Sequence, residues 1–224
     1  MPPAKQFFTT LAVACSQDAG DLPDVYGKGK VRCELSWSRN LTSGWQRILP
    51  GSSLIPHGST EDLAFDSHMC YAGAHPVKLP NGTISLYYMG ADGPHYSWGA
   101  LKKNCSYGLA SLRPDGFVGL RGAKNDTKIS NPPVGNVATT APINCSGPTV
   151  LVTADTATKG AAVSIRVHFA GTVLLCEPLQ GMDVTDAPLT GCDLTSMVGK
   201  DVILEVQLGG AAVLYTFGFG AKPG

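Results

Sequence analysis

The chain has 224 residues with 17 basic and 17 acidic side chains, and only 15% of its residues are charged, against roughly 25% in an average globular protein. Its 27 glycines and 16 prolines interrupt helical hydrogen bonding too often for a mostly helical protein, while 43% hydrophobic residues exclude a disordered chain. No apolar run reaches the roughly 18 residues of a membrane span, and no basic block supplies the electrostatic footprint that nucleic acid or anionic lipid requires, so neither nucleic acid nor a membrane is an expected partner.

In chain order, the first apolar stretch, residues 7–14, follows Lys5 and ends in Ala12-Val13-Ala14, the small-x-small form of an export cleavage site. Thr9 and Thr10 interrupt it, and its β-branched and aromatic content fits a buried strand better. A strand is expected here, with any export signal upstream of Met1. Further strands are expected at 31–37, 70–79, 84–89 and 106–112, each bounded by glycine, proline or asparagine. Pro80-Asn81-Gly82 between two apolar segments predicts a hairpin. Residues 122–135 are polar, contain a Pro-Pro pair and have no hydrophobic period, which reads as a linker. Beyond it, strands are expected at 149–155, 163–169, 202–208 and 212–219, two of them with clear period-two alternation. The fold class is therefore all-β, with a first domain over 1–122, a linker over 123–135 and a second domain over 136–224.

The 7 cysteines contain no C-x-x-C pair and no close Cys/His cluster, so no zinc site is expected. Five N-x-[ST] acceptor patterns occur, at Asn40, Asn81, Asn104, Asn125 and Asn144. Cysteines and sequons together favour a secreted, disulfide-permissive setting. The odd cysteine count leaves at least one thiol without an intrachain partner.

Within the first part, Leu35-Ser36-Trp37-Ser38-Arg39 ahead of Gly44-Trp45 is echoed by Leu109-Ala110-Ser111-Leu112-Arg113 ahead of Gly116-Phe117. A strand, a turn and an aromatic-led outer strand at this spacing fit successive propeller blades. The segments Leu35 to Ile48, Ile84 to His95 (I-S-L-Y-Y-M-G-A-D-G-P-H) and Tyr107 to Leu120 (Y-G-L-A-S-L-R-P-D-G-F-V-G-L) resemble the closing blades of five-bladed propellers similar to glycoside hydrolases of the invertase, levansucrase and arabinanase type. The second part, through Gly147 to Asp155, Cys176 to Thr185 and Gly199 to Val206, resembles the β-sandwich that trails such propellers. The resemblance implies one to two blades of a five-bladed β-propeller followed by a β-sandwich. A full ring would need about 250 to 300 residues; about half of that precedes the linker, so another chain covering the open blade edges is an expected partner.

The resemblance also implies carbohydrate as the ligand. Glycoside hydrolysis uses two carboxyl groups flanking the scissile bond, and Asp66 is the candidate channel-facing carboxylate, because Phe65-Asp66-Ser67 with Tyr71 resembles the approach to an inner strand in that group. Asp66 as a turn cap is the alternative. His68, Asp92, His95, Tyr96 and Trp98 are the candidate sugar-binding residues, since an aromatic ring stacks on the apolar face of a sugar while polar groups bond its hydroxyls. Arg113 and Asp115 are expected to fix a turn. No cofactor is expected, and no nucleophile signature such as G-x-S-x-G occurs. The expected function is a glycoside hydrolase-like, carbohydrate-active protein, the C-terminal portion of a secreted glycosidase; the alternative is a secreted carbohydrate-binding or interaction module without a complete active site.

Overall fold

The computed structural model describes the backbone of residues 10–17 and, in full, residues 30–38, 42, 44–95, 103–122 and 136–221. It is all-β: the described residues contain no α-helix, and their one helical element is the 3-10 turn Thr195–Met197. None of the described residues forms a helix long and apolar enough to cross a membrane. The chain divides into two compact units, Met1–Pro114 and Asp115–Gly224.

The first unit carries β1 (Thr10–Gln17), β2 (Val31–Ser38), β3 (Gln46–Arg47), β4 (Met69–Ala72), β5 (Val77–Lys78), β6 (Ile84–Ala91) and β7 (Cys105–Leu112). They form one sheet in the order β1-β2-β4-β6-β5, with β3 on β2 and β7 on β6. Two antiparallel groups make it up, β1–β3 and β4–β7, joined by the parallel pair Val31 and Met69. The expected hairpin lies between β5 and β6, where Gly82 at φ +84° takes the left-handed conformation that glycine adopts without a Cβ clash. The apolar core is small: Cys33, Ile55, Cys70 and Leu86 form one cluster, and Val31, Met69 and Ala91 another. On β7, Tyr107 and Leu109 are exposed.

The second unit carries β8 (Leu120–Arg121), β9 (Val137–Thr139), β10 (Ile143–Asn144), β11 (Thr149–Asp155), β12 (Ala162–Phe169), β13 (Thr172–Leu175), β14 (Leu179–Gln180), β15 (Asp183–Pro188), β16 (Asp201–Gly209) and β17 (Val213–Gly220). One sheet runs β10-β16-β12-β13, with β14 on β12 and β9 on β16; the other runs β15-β11-β17-β8. Alternation decides which side chains enter the apolar cluster, although Ser164 and Arg166 on the other face of β12 are buried as well. Val163, Ile165 and Val167 of β12 and Val202, Leu204, Val206 and Leu208 of β16 join Val150, Val152 and Ala154 of β11 and Leu214 of β17 in one apolar cluster. It is the largest of the three apolar clusters among the described residues, and each fully buried aliphatic side chain in it is worth roughly 1.5 to 3 kcal/mol. A disulfide joins Cys176 to Cys192.

The boundary between the two compact units falls at Pro114/Asp115, and Leu120 and Arg121 pair with Leu214 and Val213 of β17. The expected linker, 123–135, lies outside the described residues. The two echoed segments also behave differently: Gln46 and Arg47 fold back onto β2, whereas the corresponding Leu120 and Arg121 join the second unit.

Candidate functional site

Strand register gathers four polar residues at one end of the first sheet. Val31 pairs with Met69, Met69 with Ala91, and Ala91 with Cys105, so the ends of β2, β4, β6 and β7 are level. The residues just beyond them are Lys30, His68, Asp92 and Asn104. Backbone hydrogen bonds carry the ladder through this row: Val31 N donates to His68 O at 2.9 Å, His68 N to Ala91 O at 3.1 Å, and Asp92 N to Asn104 O at 3.2 Å.

Asp92 is held by Asn104 through both carboxylate oxygens. The Asn104 backbone N–H donates to Oδ1 at 2.8 Å and its Nδ2 to Oδ2 at 2.7 Å. These bonds, the backbone one first, hold the Asp92 carboxyl below its usual range, because hydrogen bonds to the charged form favour it. His68 is half-buried, with Nδ1 3.0 Å from Ser67 Oγ. Burial, then the charges of Lys30 and His57, push its pKa down, while Asp92 works in the opposite direction. The ring of His57 is fixed by its Nε2–H, which donates to Val31 O at 2.8 Å. His95 is exposed; its ring lies 6.3 Å from that of Tyr71, and its carbonyl accepts from Lys103 Nζ at 2.9 Å.

Asp66 lies two residues before this row and is buried. Its Oδ2 accepts the Tyr88 hydroxyl at 2.7 Å. Two glycines make room for it: a Cβ at Gly58 would stand 2.4 Å from Oδ1, and one at Gly90 would stand 2.5 Å from the Asp66 Cβ. Burial first, and then Asp66, push the Tyr88 phenol well above its ordinary range, so this group is a donor at every physiological pH. The ring of Phe65 stacks on that of Tyr88 at 6.0 Å between centroids.

Of the residues singled out by sequence, His68 and Asp92 lie in the strand-end row, Asp66 just behind it, and His95 three residues past Asp92. Tyr96, Trp98, Asn40 and Asn125 lie outside the described residues. Sequence reasoning missed the roles of His57, Tyr88 and Asn104. The only signal for Asn104 was its acceptor tripeptide, which says nothing about Asp92. Asp115 takes a positive φ of 56°, and its Oδ2 is 3.5 Å from Thr153 Oγ1. No group of three or more His, Cys, Asp or Glu poised to hold a metal ion occurs among the described residues.

In the second unit, Glu205 is 3.1 Å from Arg166 Nη1 and 3.2 Å from His168 Nε2. A cleft of about 440 Å³ is lined by Pro148, Thr149 and the segment 188–193, and one of about 340 Å³ by residues 118–120 and 214–217. In comparisons with known proteins, no family, no curated protein and no solved structure matches the chain.

Proposed function

We propose that the chain is a carbohydrate-recognising part of a secreted protein, binding sugar hydroxyls at the strand-end row of the first unit. The observation that carries this reading is the level row of His68, Asp92 and Asn104, with His57 fixed beside it. It presents an ionised carboxylate, a neutral imidazole and an amide within one register step of each other, the mixed donor and acceptor set that vicinal hydroxyls require. The Cys176–Cys192 disulfide fits the oxidising compartment. The two antiparallel strand groups of the first unit are candidates for blades of an incomplete five-bladed propeller, and the two sheets of the second unit, sharing one apolar cluster, fit a β-sandwich. Exposed Tyr107 and Leu109 on β7, which among the described residues pairs with β6 alone, favour another chain as the cover for that edge.

A second reading, a glycoside hydrolase-like enzyme, rests on Asp66 and Asp92 lying at the same sheet end. Recognition is preferred because Asp92 is held ionised by Asn104 and one Asp66 oxygen is taken by Tyr88, whereas a glycosidase needs one carboxyl kept protonated. The test is a glycan-array screen followed by titration calorimetry on the best ligand. Recognition predicts binding that falls at least tenfold in His68→Ala and Asp92→Ala, without release of reducing ends. Hydrolysis that disappears in Asp66→Asn establishes the enzyme instead, and no sugar bound at millimolar concentration overturns both.

A further inference from the structure

The three acceptor tripeptides within the described residues, Asn81-Gly82-Thr83, Asn104-Cys105-Ser106 and Asn144-Cys145-Ser146, differ in their surroundings. Asn81 is exposed at the tip of the β5–β6 hairpin. Its Oδ1 accepts the Thr83 backbone N–H at 3.0 Å. That bond uses the amide oxygen, not the nitrogen, of an exposed side chain. The turn is closed from below by Leu79, whose N donates to Thr83 O at 2.8 Å and whose O accepts Gly82 N at 2.9 Å. Asn104 is the reverse case. Its Nδ2, the atom a glycan would occupy, donates to Asp92 Oδ2 at 2.7 Å while its backbone N–H donates to Oδ1. Asn144 sits in the ladder, paired with Asp201, beside the fully buried Cys145.

We propose that Asn81 carries an N-linked oligosaccharide and that Asn104 remains a bare amide, reserved for Asp92. The donor is a lipid-pyrophosphate-linked oligosaccharide. The C1–O bond to its pyrophosphate breaks, a bond from C1 to Asn81 Nδ2 forms, Nδ2 gives up one proton, and the lipid pyrophosphate leaves. At Asn81 the added sugar meets solvent and displaces nothing. At Asn104 it would crowd a charge-assisted contact, the stronger kind of hydrogen bond, and undo the clamp that keeps Asp92 ionised. The proposal requires entry into a secretory pathway and is independent of whether the strand-end row binds sugar.

The test is expression of the full chain behind a secretion signal in a eukaryotic host, with peptide mapping after enzymatic glycan release in heavy-oxygen water, which marks every released site. The expected result is occupancy above half at Asn81 and below a tenth at Asn104, with the Asn81 signal lost in Thr83→Ala. In Asp92→Ala, which frees the Asn104 nitrogen, occupancy at Asn104 rises at least threefold. Misfolding would also free Asn104, so occupancy is compared in secreted protein of wild-type protease resistance; where Asp92→Ala is not secreted, the wild-type ratio of Asn81 to Asn104 occupancy decides. A bare Asn81, occupancy at Asn104 equal to that at Asn81, or no change at Asn104 in Asp92→Ala overturns the proposal.

Discussion

The Tyr88 hydroxyl donates to Asp66 Oδ2 at 2.7 Å, joining the centre of β6 to the loop ahead of β4 across 22 residues of sequence. Asp66 is buried, and a buried acceptor left without its donor costs roughly 1 to 3 kcal/mol. Tyr88→Phe, which removes the hydroxyl and keeps the ring, is therefore expected to destabilise the first unit by about that amount. All 3 tryptophans of the chain, Trp37, Trp45 and Trp98, lie in this unit, so urea unfolding followed by tryptophan fluorescence reads it. An unchanged midpoint removes any structural weight from the bond.

Gly90→Ala attacks the same contact from the other side. The added Cβ would stand 2.5 Å from the Asp66 Cβ and 2.8 Å from Phe65 Cε2, with the Asp66 backbone at 2.9 Å. These are not the ends of flexible side chains, so the loop itself must move. Overpacking of this kind typically costs 1 to 3 kcal/mol, and the fluorescence-detected midpoint should fall by at least as much as in Tyr88→Phe. A midpoint equal to the wild type's means that the loop before β4 yields freely.

Much of the strand pattern was legible because period-two alternation is local information. β11 spans Thr149–Asp155, the expected bounds, and β12 and β16 depart from theirs by one residue at an end or less. Pairings between segments far apart in the chain were not legible. Leu120-Arg121 looked like the end of a blade because it follows Asp115-Gly116-Phe117, yet its partners are Val213 and Leu214, and no local rule names a partner some 90 residues away. The long expected strand over 70–79 splits into β4 and β5: Gly73 N still bonds Tyr87 O at 2.6 Å in the register of β4, whereas β5 pairs with β6 two residues out of that register, after Pro76, which has no N–H to give the ladder. At the site, His68 and Asp92 were found as chemistry, but Asn104 and Tyr88 act through pairings that only the β6–β7 register and the β4 approach create.

The pH dependence of the first unit follows from His68 and Asp92. The His68 pKa is lowered from 6.5 in the fold, so the unfolded chain binds more protons between that lowered value and 6.5, and stability falls as pH drops through this window. Asp92, lowered from 3.8, adds a second loss below that value, where its native carboxylate must be protonated. The fluorescence-detected urea midpoint is expected to be flat above about pH 7 and to decline toward pH 5. His68→Gln should flatten the step between pH 7 and 5 while keeping the acid loss, and Asp92→Asn should do the reverse. A wild-type midpoint constant from pH 7 to pH 5 sinks the assignment to His68.

The disulfide gives a prediction confined to the second unit. Cys176 and Cys192 are 16 residues apart, and in the chain-entropy view closing a loop of about that size restricts the unfolded state by roughly 3 kcal/mol. Both cysteines belong to the buried apolar cluster of the second unit, so replacing them with alanine adds the loss of buried volume to the loss of the link. The double variant Cys176→Ala/Cys192→Ala should show faster amide hydrogen exchange in β12 and β16, whose slowest amides report global opening of the unit. Reductant should accelerate exchange in the wild type toward the level of the variant and leave the variant itself unchanged. If reductant acts equally on both proteins, some other thiol chemistry is responsible; Cys145, buried with its thiol pKa pushed up and donating to Gly147 O at 3.2 Å, is poorly suited to supply it, because a thiol held protonated is a weak nucleophile.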